Sequence, residues 1–300
     1  MLTAAILSSA VEMLTVVGSP TKAHHPATEA ACQLDLKAEL PVVERNGRFM
    51  TTVSVNDRPL TLLVNTGAVG IELNADAVET LDLAPRQRFV SKAREPGPAD
   101  GVGRVFAMQL LALGAEHWLW VAGAESATRV ADADGVLGMS LLKYYDVELD
   151  FGRGVMRLYS ASGCKGAFAP WAGGYQRLAS TQSEDSQFVI PVLLDGRRLR
   201  AVIDTGAEVT LVDRHAAGQA GMVREASWGP LALHRHQFRS LVVGTEIREY
   251  PTLAIPGPDI EGADVVLGVD FLKTHVLWLS NYTGQVFIQP RSGAGLESAD

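Results

Sequence analysis

Apolar and polar positions along the chain fall twice into the same order. Val53 and Val55 alternate with polar neighbours up to Asn56-Asp57, and their counterparts Val192 and Leu194 lead into Asp195-Gly196. A two-residue turn signal closing such a pattern predicts a β-hairpin. The returning runs, Leu60 to Val64 and Leu199 to Ile203, are short, largely apolar and bounded by turns, as buried strands are. Each then meets Asn65-Thr66-Gly67-Ala68 or Asp204-Thr205-Gly206-Ala207. Glycine there permits a backbone reversal that presents the preceding polar side chain at a strand end. Short helices are predicted at about residues 75–81 and 214–220, capped by Asn74 and Asp213. The rest reads as short strands, so the fold class is all-β with a few short helices.

These similarities form an internal repeat. Phe49–Asn74 aligns without gaps on Phe188–Asp213 at an offset of 139, Asn65 against Asp204. A second block, Ala133–Gly138 through Leu142-Lys143, aligns on Ala263–Gly268 through Leu272-Lys273 at an offset of 130, Asp134 against Asp264. Two blocks recurring in one order predict two similar lobes, with about nine extra residues in a loop of the first. The predicted organisation is a leader or flexible terminus at 1–31, a first lobe at 32–160, a linker at 161–187, a second lobe at 188–290 and a frayed tail at 291–300. The Ser- and Gly-containing composition of the linker carries that assignment.

Composition narrows the function classes. Apolar residues make up 47% of the 300, enough for packed cores. Lys and Arg number 26 against 34 acidic residues, a net charge of −8 with no basic cluster to follow a phosphate backbone, so nucleic acid is not an expected partner. Met1 to Val17 is mostly apolar and could be the core of an export signal ending near Ala23 or Ala31, although no basic residue precedes it and Glu12 interrupts it. Export would place the mature chain in a periplasm or outside the cell. Cys32 and Cys164 lack the spacing of a zinc knuckle or redox pair. They read either as one long-range disulfide or as two inert thiols, according to compartment.

The duplicated strand-end motif with its hydrophobic-hydrophobic-Gly partner, Asp204-Thr205-Gly206-Ala207 with Val266-Leu267-Gly268, resembles the aspartic peptidases, particularly bacterial two-lobed relatives of the retroviral enzyme. The resemblance spans roughly Phe49 to Gln289. It implies a pepsin/retropepsin-like fold in which the lobes face each other across a cleft and each contributes one carboxylate around a shared water. Two carboxylates so close share a proton, which lets one activate the water while the other protonates the scissile carbonyl. It further implies that Thr66 and Thr205 hydrogen-bond across the pair, that Gly67 and Gly206 bring their amides to the acid oxygens, and that the hydrophobic-hydrophobic-Gly segments pack beneath. A peptide or protein substrate, no cofactor, no metal and a monomer holding both half-sites complete the expectation.

Asn65 stands where the first catalytic Asp is expected. An amide keeps the shape and many hydrogen bonds of a carboxyl group but cannot carry the shared proton, which puts roughly 10²–10⁴-fold of acid-base help at stake. Three explanations are open: a deliberate one-atom replacement made to stop cleavage, which the intact Thr66-Gly67-Ala68 favours; natural loss leaving a peptide-binding protein; or reliance on Asp204 through second lobes paired between chains. Ile71, where the second lobe has Thr210, is a second departure and weighs against the first.

The resemblance also implies a flap over the cleft. By position the candidates are Gly97 to Gly103, with Gly101 and Gly103, and Trp228-Gly229-Pro230; ordinary exposed turns are the alternative. Trp228 could line a pocket, while Trp118, Trp120 and Trp278 sit among apolar neighbours and read as core or sheet surface. His234 and His236 would share a face of a strand, but no third metal ligand is evident. Asn281-Tyr282-Thr283 matches a glycosylation acceptor and reads as a turn. Asp132, Asp134 and Asp264 read as turn residues rather than extra acids. The leading expectation is an endopeptidase; its rivals are a non-catalytic peptide-binding protein and a purely architectural β-domain.

Overall fold

A computed structural model gives the structure, which is described for residues 32–92, 100–126, 129–164, 168–219 and 233–291, with 86–92 and 100–103 as backbone only. The leader at 1–31, the tail beyond 291, residues 97–99 of the first flap candidate, helix position 220, and Trp228-Gly229-Pro230 lie outside the described residues.

The first repeat begins with β1 (Gln33–Arg45), β2 (Arg48–Val55), β3 (Arg58–Val64), β4 (Ile71–Leu73), α1 (Ala75–Thr80), β5 (Pro85–Lys92) and β6 (Asp100–Leu113). It continues with β7 (Glu116–Glu125), β8 (Gly135–Leu137), α2 (Met139–Leu142), β9 (Asp146–Asp150) and β10 (Val155–Ser162). Then come β11 (Gln176–Leu178), β12 (Thr181–Gln182), β13 (Phe188–Leu194), β14 (Arg197–Ile203), β15 (Leu211–Val212), α3 (Arg214–Gln219) and β16 (Leu233–Gln237). The chain closes with β17 (Ser240–Val243), β18 (Glu246–Glu249), β19 (Thr252–Pro256), β20 (Val265–Leu267), α4 (Val269–Leu272), β21 (His275–Ser280) and β22 (Gln285–Pro290). This is the all-β architecture with short helices that the pattern predicts.

Both predicted hairpins form. β2 pairs with β3 around Asn56 and Asp57, whose φ values are 49° and 63°, and β13 pairs with β14 around Asp195 and Gly196, at 49° and 80°. Two consecutive left-handed residues match the twist of the flanking strands, and Asn, Asp and Gly adopt that conformation at least cost. Both helices form as well: Asn74 Oδ1 accepts from Ala77 N–H at 2.8 Å, and Asp213 Oδ1 accepts from His215 and Ala216 N–H at 2.8 and 3.2 Å.

The duplication continues through the strands. β6 pairs with β7 as β16 and β17 pair with β19 and β18, and each outer strand turns at a left-handed residue 130 positions from its counterpart, Trp120 at φ 58° and Tyr250 at 51°. The repeats meet in a shared sheet. β9 pairs with β10 on one side and with β21 on the other, which extends the sheet through β22 to β11. Stretch 161–187 therefore carries β11 and β12, which pair with β22 and β13 and together take the place that β1 holds in the first lobe. One buried apolar cluster runs through both lobes, from Leu40, Val55 and Leu62 to Leu194, Ile203 and Leu267.

Cys32 and Cys164 are joined in a disulfide with Cα atoms 4.1 Å apart. The bridge pins the open end of the β1–β10 ladder, next to the Gln33–Ser162 pair.

Candidate active site

The two strand-end loops are cradled by β8 and β20. β3 runs parallel to β8 and β14 parallel to β20, so that Asn65 N–H donates to Leu137 O at 3.0 Å and Asp204 N–H to Leu267 O at 3.1 Å. Met139 N–H returns to Ala68 O and Val269 N–H to Ala207 O, at 2.9 and 2.8 Å. Gly138 and Gly268 make this approach possible: a Cβ on either would come within 2.3 Å of Gly70 O or 2.5 Å of the Val209 carbonyl carbon.

Across the interface the loops grip each other symmetrically. Thr66 Oγ1 donates to Ile203 O at 2.8 Å and Thr205 Oγ1 to Val64 O at 2.7 Å. Each hydroxyl also accepts the other threonine's backbone N–H, at 3.1 and 3.2 Å. Thr66 and Thr205 are 1% and 0% exposed, so four buried backbone groups depend on two hydroxyls.

The grip sets Asn65 and Asp204 against each other's loops. Asn65 Oδ1 accepts from Gly67 and Ala68 N–H at 2.8 and 2.9 Å, and Asp204 Oδ1 accepts from Gly206 N–H at 2.7 Å. A Cβ on Gly67 would lie 2.2 Å from Asp204 Cγ, and one on Gly206 would lie 2.2 Å from Asn65 Nδ2. The glycines thus serve both loops, donating within one and leaving room for the side chain of the other. Each of the two polar residues keeps 7% of its surface exposed. Chemically this unites one carboxylate able to take a proton with one amide whose oxygen is polarised by two N–H donors.

Other candidates fall apart from this centre. Gly101 and Gly103 lie on β6, opposite Ser91 and Phe89 of β5, so the described part of the first flap candidate, 100–103, is paired antiparallel strand. His234 and His236 share a face of β16, His236 packs edge-on against Phe238 at 4.7 Å, and among the described residues no three metal-ligating side chains gather. Trp278 is wholly buried, Trp118 is half-buried and Trp120 is exposed. Asn281 Nδ2 donates to Leu142 O and Tyr145 O, at 3.3 and 2.7 Å, which explains Asn281 by its turn. Asp134 Oδ2 and Asp264 Oδ2 each accept a backbone N–H at 2.8 Å, from Thr61 and Arg200, and Asp132 Oδ2 accepts from Asn46 Nδ2 at 2.6 Å.

Two contacts at the loops escaped sequence reasoning. Gln187 Nε2 donates to Gly67 O, and Arg48 Nε lies 3.2 Å from Glu208 Oε1. Arg48 and Gln187 occupy equivalent places, each just before the repeat's phenylalanine, and each reaches the loop of the opposite lobe. That register was the available signal.

Residues 190–271 match the family model described as aspartyl protease. Among solved structures, a retropepsin-like aspartic protease from Rickettsia conorii aligns at 18% identity with a TM-score of 0.33, covering 44% of this chain and 98% of that one. No curated protein matches the chain.

Proposed function

We propose, on the support that the 190–271 match gives to an aspartic peptidase assignment, that this chain is built as an endopeptidase acting on an extended peptide between Asp204 and position 65. One observation carries the reading: two strand-end loops, related by the internal repeat, lock through Thr66 and Thr205 and set both polar side chains against the facing glycines. With carboxylates at both positions, one would take the proton of an attacking water while the other held a proton for the substrate carbonyl. With Asn65, Asp204 is the single proton acceptor of the pair and the acid partner is missing. The second reading, a peptide-binding protein that no longer cleaves, is favoured by Asn65 alone.

The working unit is a monomer, because both half-sites come from one chain. The Cys32–Cys164 bridge supports an oxidising compartment, a periplasm or the cell exterior. The test compares cleavage of a broad peptide library from about pH 3 to 8 by the freshly prepared chain and by Asn65→Asp, with Asp204→Ala as blank. Cleavage by Asn65→Asp that Asp204→Ala abolishes upholds the endopeptidase; binding without cleavage by Asn65→Asp moves the second reading ahead.

A further inference from the structure

The side-chain amide of Asn65 is held as amide-hydrolysing sites hold their substrate. Its oxygen takes N–H donors from Gly67 at 2.8 Å and Ala68 at 2.9 Å, the arrangement that stabilises negative charge developing on a carbonyl oxygen under attack. The Asp204 carboxyl group covers Gly67, the residue whose N–H the amide oxygen holds, and Asn65 Nδ2 lies over Gly206, whose N–H the carboxylate holds. Amide and carboxylate therefore share both glycines as neighbours. The ordinary route of asparagine breakdown, attack by the next backbone nitrogen, is hindered, because Thr66 N–H is committed to Thr205 Oγ1 at 3.1 Å.

We propose that Asn65 is a self-modification site: Asp204 activates a water that hydrolyses the Asn65 side-chain amide to a carboxyl group, completing the acid pair within the folded chain. Asp204 accepts a proton as the water oxygen bonds to Asn65 Cγ. The resulting oxyanion rests on the Gly67 and Ala68 N–H groups. Asp204 returns the proton to Nδ2, the C–N bond breaks, and ammonia leaves with Asp at position 65. Nothing is oxidised or reduced, and water is the only co-reactant. The proposal deepens the peptidase reading, since the groups that would cut a bound peptide first act on a side chain.

The test incubates the full chain, disulfide intact, in heavy-oxygen water and follows the peptide containing residue 65 by mass spectrometry. The expected result is conversion of Asn65 to Asp with one heavy oxygen and no isoaspartate at that position, while Asn56, Asn74 and Asn281 stay unchanged and Asn46, which precedes Gly47 in an exposed turn, marks the backbone route by the isoaspartate it forms. Asp204→Ala and Asp204→Asn, checked for folding by circular dichroism, should each slow conversion by about 10²–10⁴-fold, the usual worth of a general base. Unfolding the parent in urea should slow it as well. The proposal is overturned if Asn65 persists while the fold persists, if isoaspartate accompanies Asp at position 65, or if folded Asp204 variants convert at the parental rate. The two readings fail separately. Peptide cleavage by Asn65→Asp with a persistent Asn65 in the parent overturns this inference and leaves the peptidase; conversion without cleavage by Asn65→Asp does the reverse.

Discussion

The two lobes share a backbone plan and differ in the chemistry hung on it. In lobe two, Asp270 Oδ1 accepts from Thr210 Oγ1 and N–H at 2.7 and 2.9 Å, and Thr210 Oγ1 accepts Gly268 N–H at 3.2 Å, a polar brace beneath the Asp204 loop. In lobe one the same places hold buried Ile71 and half-buried Ser140, and the loop rests on backbone bonds and apolar packing. A second pair of equivalent sites repeats the contrast. Lobe one sets Trp118 Nε1 and Glu116 Oε2 on the Tyr145 hydroxyl at 2.8 and 3.0 Å. Lobe two sets His275 Nε2 2.7 Å from Glu246 Oε2, with Arg248 Nε donating to Glu246 Oε1 at 3.0 Å. The family match falls on the lobe with the polar brace and the ionisable acid. What both lobes keep is the threonine grip and the glycines. Backbone geometry at the interface depends on those, whereas the supporting side chains are interchangeable wherever their hydrogen-bonding needs are met locally.

The most forceful way to break this comparison is to equalise the two polar residues. Asn65→Asp should raise peptide cleavage over the fresh parent by about 10²–10⁴-fold, measured as kcat/KM. No gain in a folded variant would mean that a carboxylate at position 65 is not enough to complete the pair.

The disulfide ties the start of lobe one to the linker just beyond β10, and replacing both Cys32 and Cys164 with Ser should cost about 2–5 kcal/mol in denaturant unfolding. Hydrogen exchange should then show β1 and β10 opening before the corresponding β22 edge.

Thr66→Val and Thr205→Val sharpen the symmetric part. Each leaves a buried carbonyl and a buried N–H of the facing loop without that hydroxyl, so each should cost about 2–4 kcal/mol by the same measurement. Clearly unequal costs would make the grip lopsided. The brace should be lopsided: Thr210→Val is expected to cost about 1–3 kcal/mol by stranding Asp270 and Gly268 N–H. Ile71→Val, which only trims an apolar contact, should cost about 0.5–1.5 kcal/mol.

The smallest effects separate the lobes by pH. Burial pushes the Tyr145 hydroxyl up to about 12 from 10.0, so its contribution is complete below pH 10 and fades as pH rises toward 12. Burial also pushes Glu246 upward, but the hydrogen bonds with His275 and Arg248 outweigh it and hold the carboxyl group below its usual 4.5. Its contribution is present above that value and fades as pH falls through the lowered one. Tyr145→Phe should flatten only the alkaline limb of a stability profile, and Glu246→Gln only the acid limb.

Much of this was legible along the chain because it is local. A period-two pattern closed by Asn56-Asp57 or Asp195-Gly196 specifies a hairpin through the φ values those residues tolerate, and Asn74 and Asp213 announce helix starts through a side-chain oxygen. The repeat placed Asn65 opposite Asp204, an amide where its counterpart carries a carboxyl group. Tertiary structure decided what depends on register between distant segments. It joined Cys32 to Cys164 across 132 residues, paired β9 with β21 into one sheet beneath both lobes, and brought Gln187 to Gly67 O across 120 residues. It also showed that Gly67 and Gly206 are required by the opposing side chain as much as by their own turns. No sequence period encodes such contacts, because each arises from two surfaces whose distance is set only after both lobes have packed.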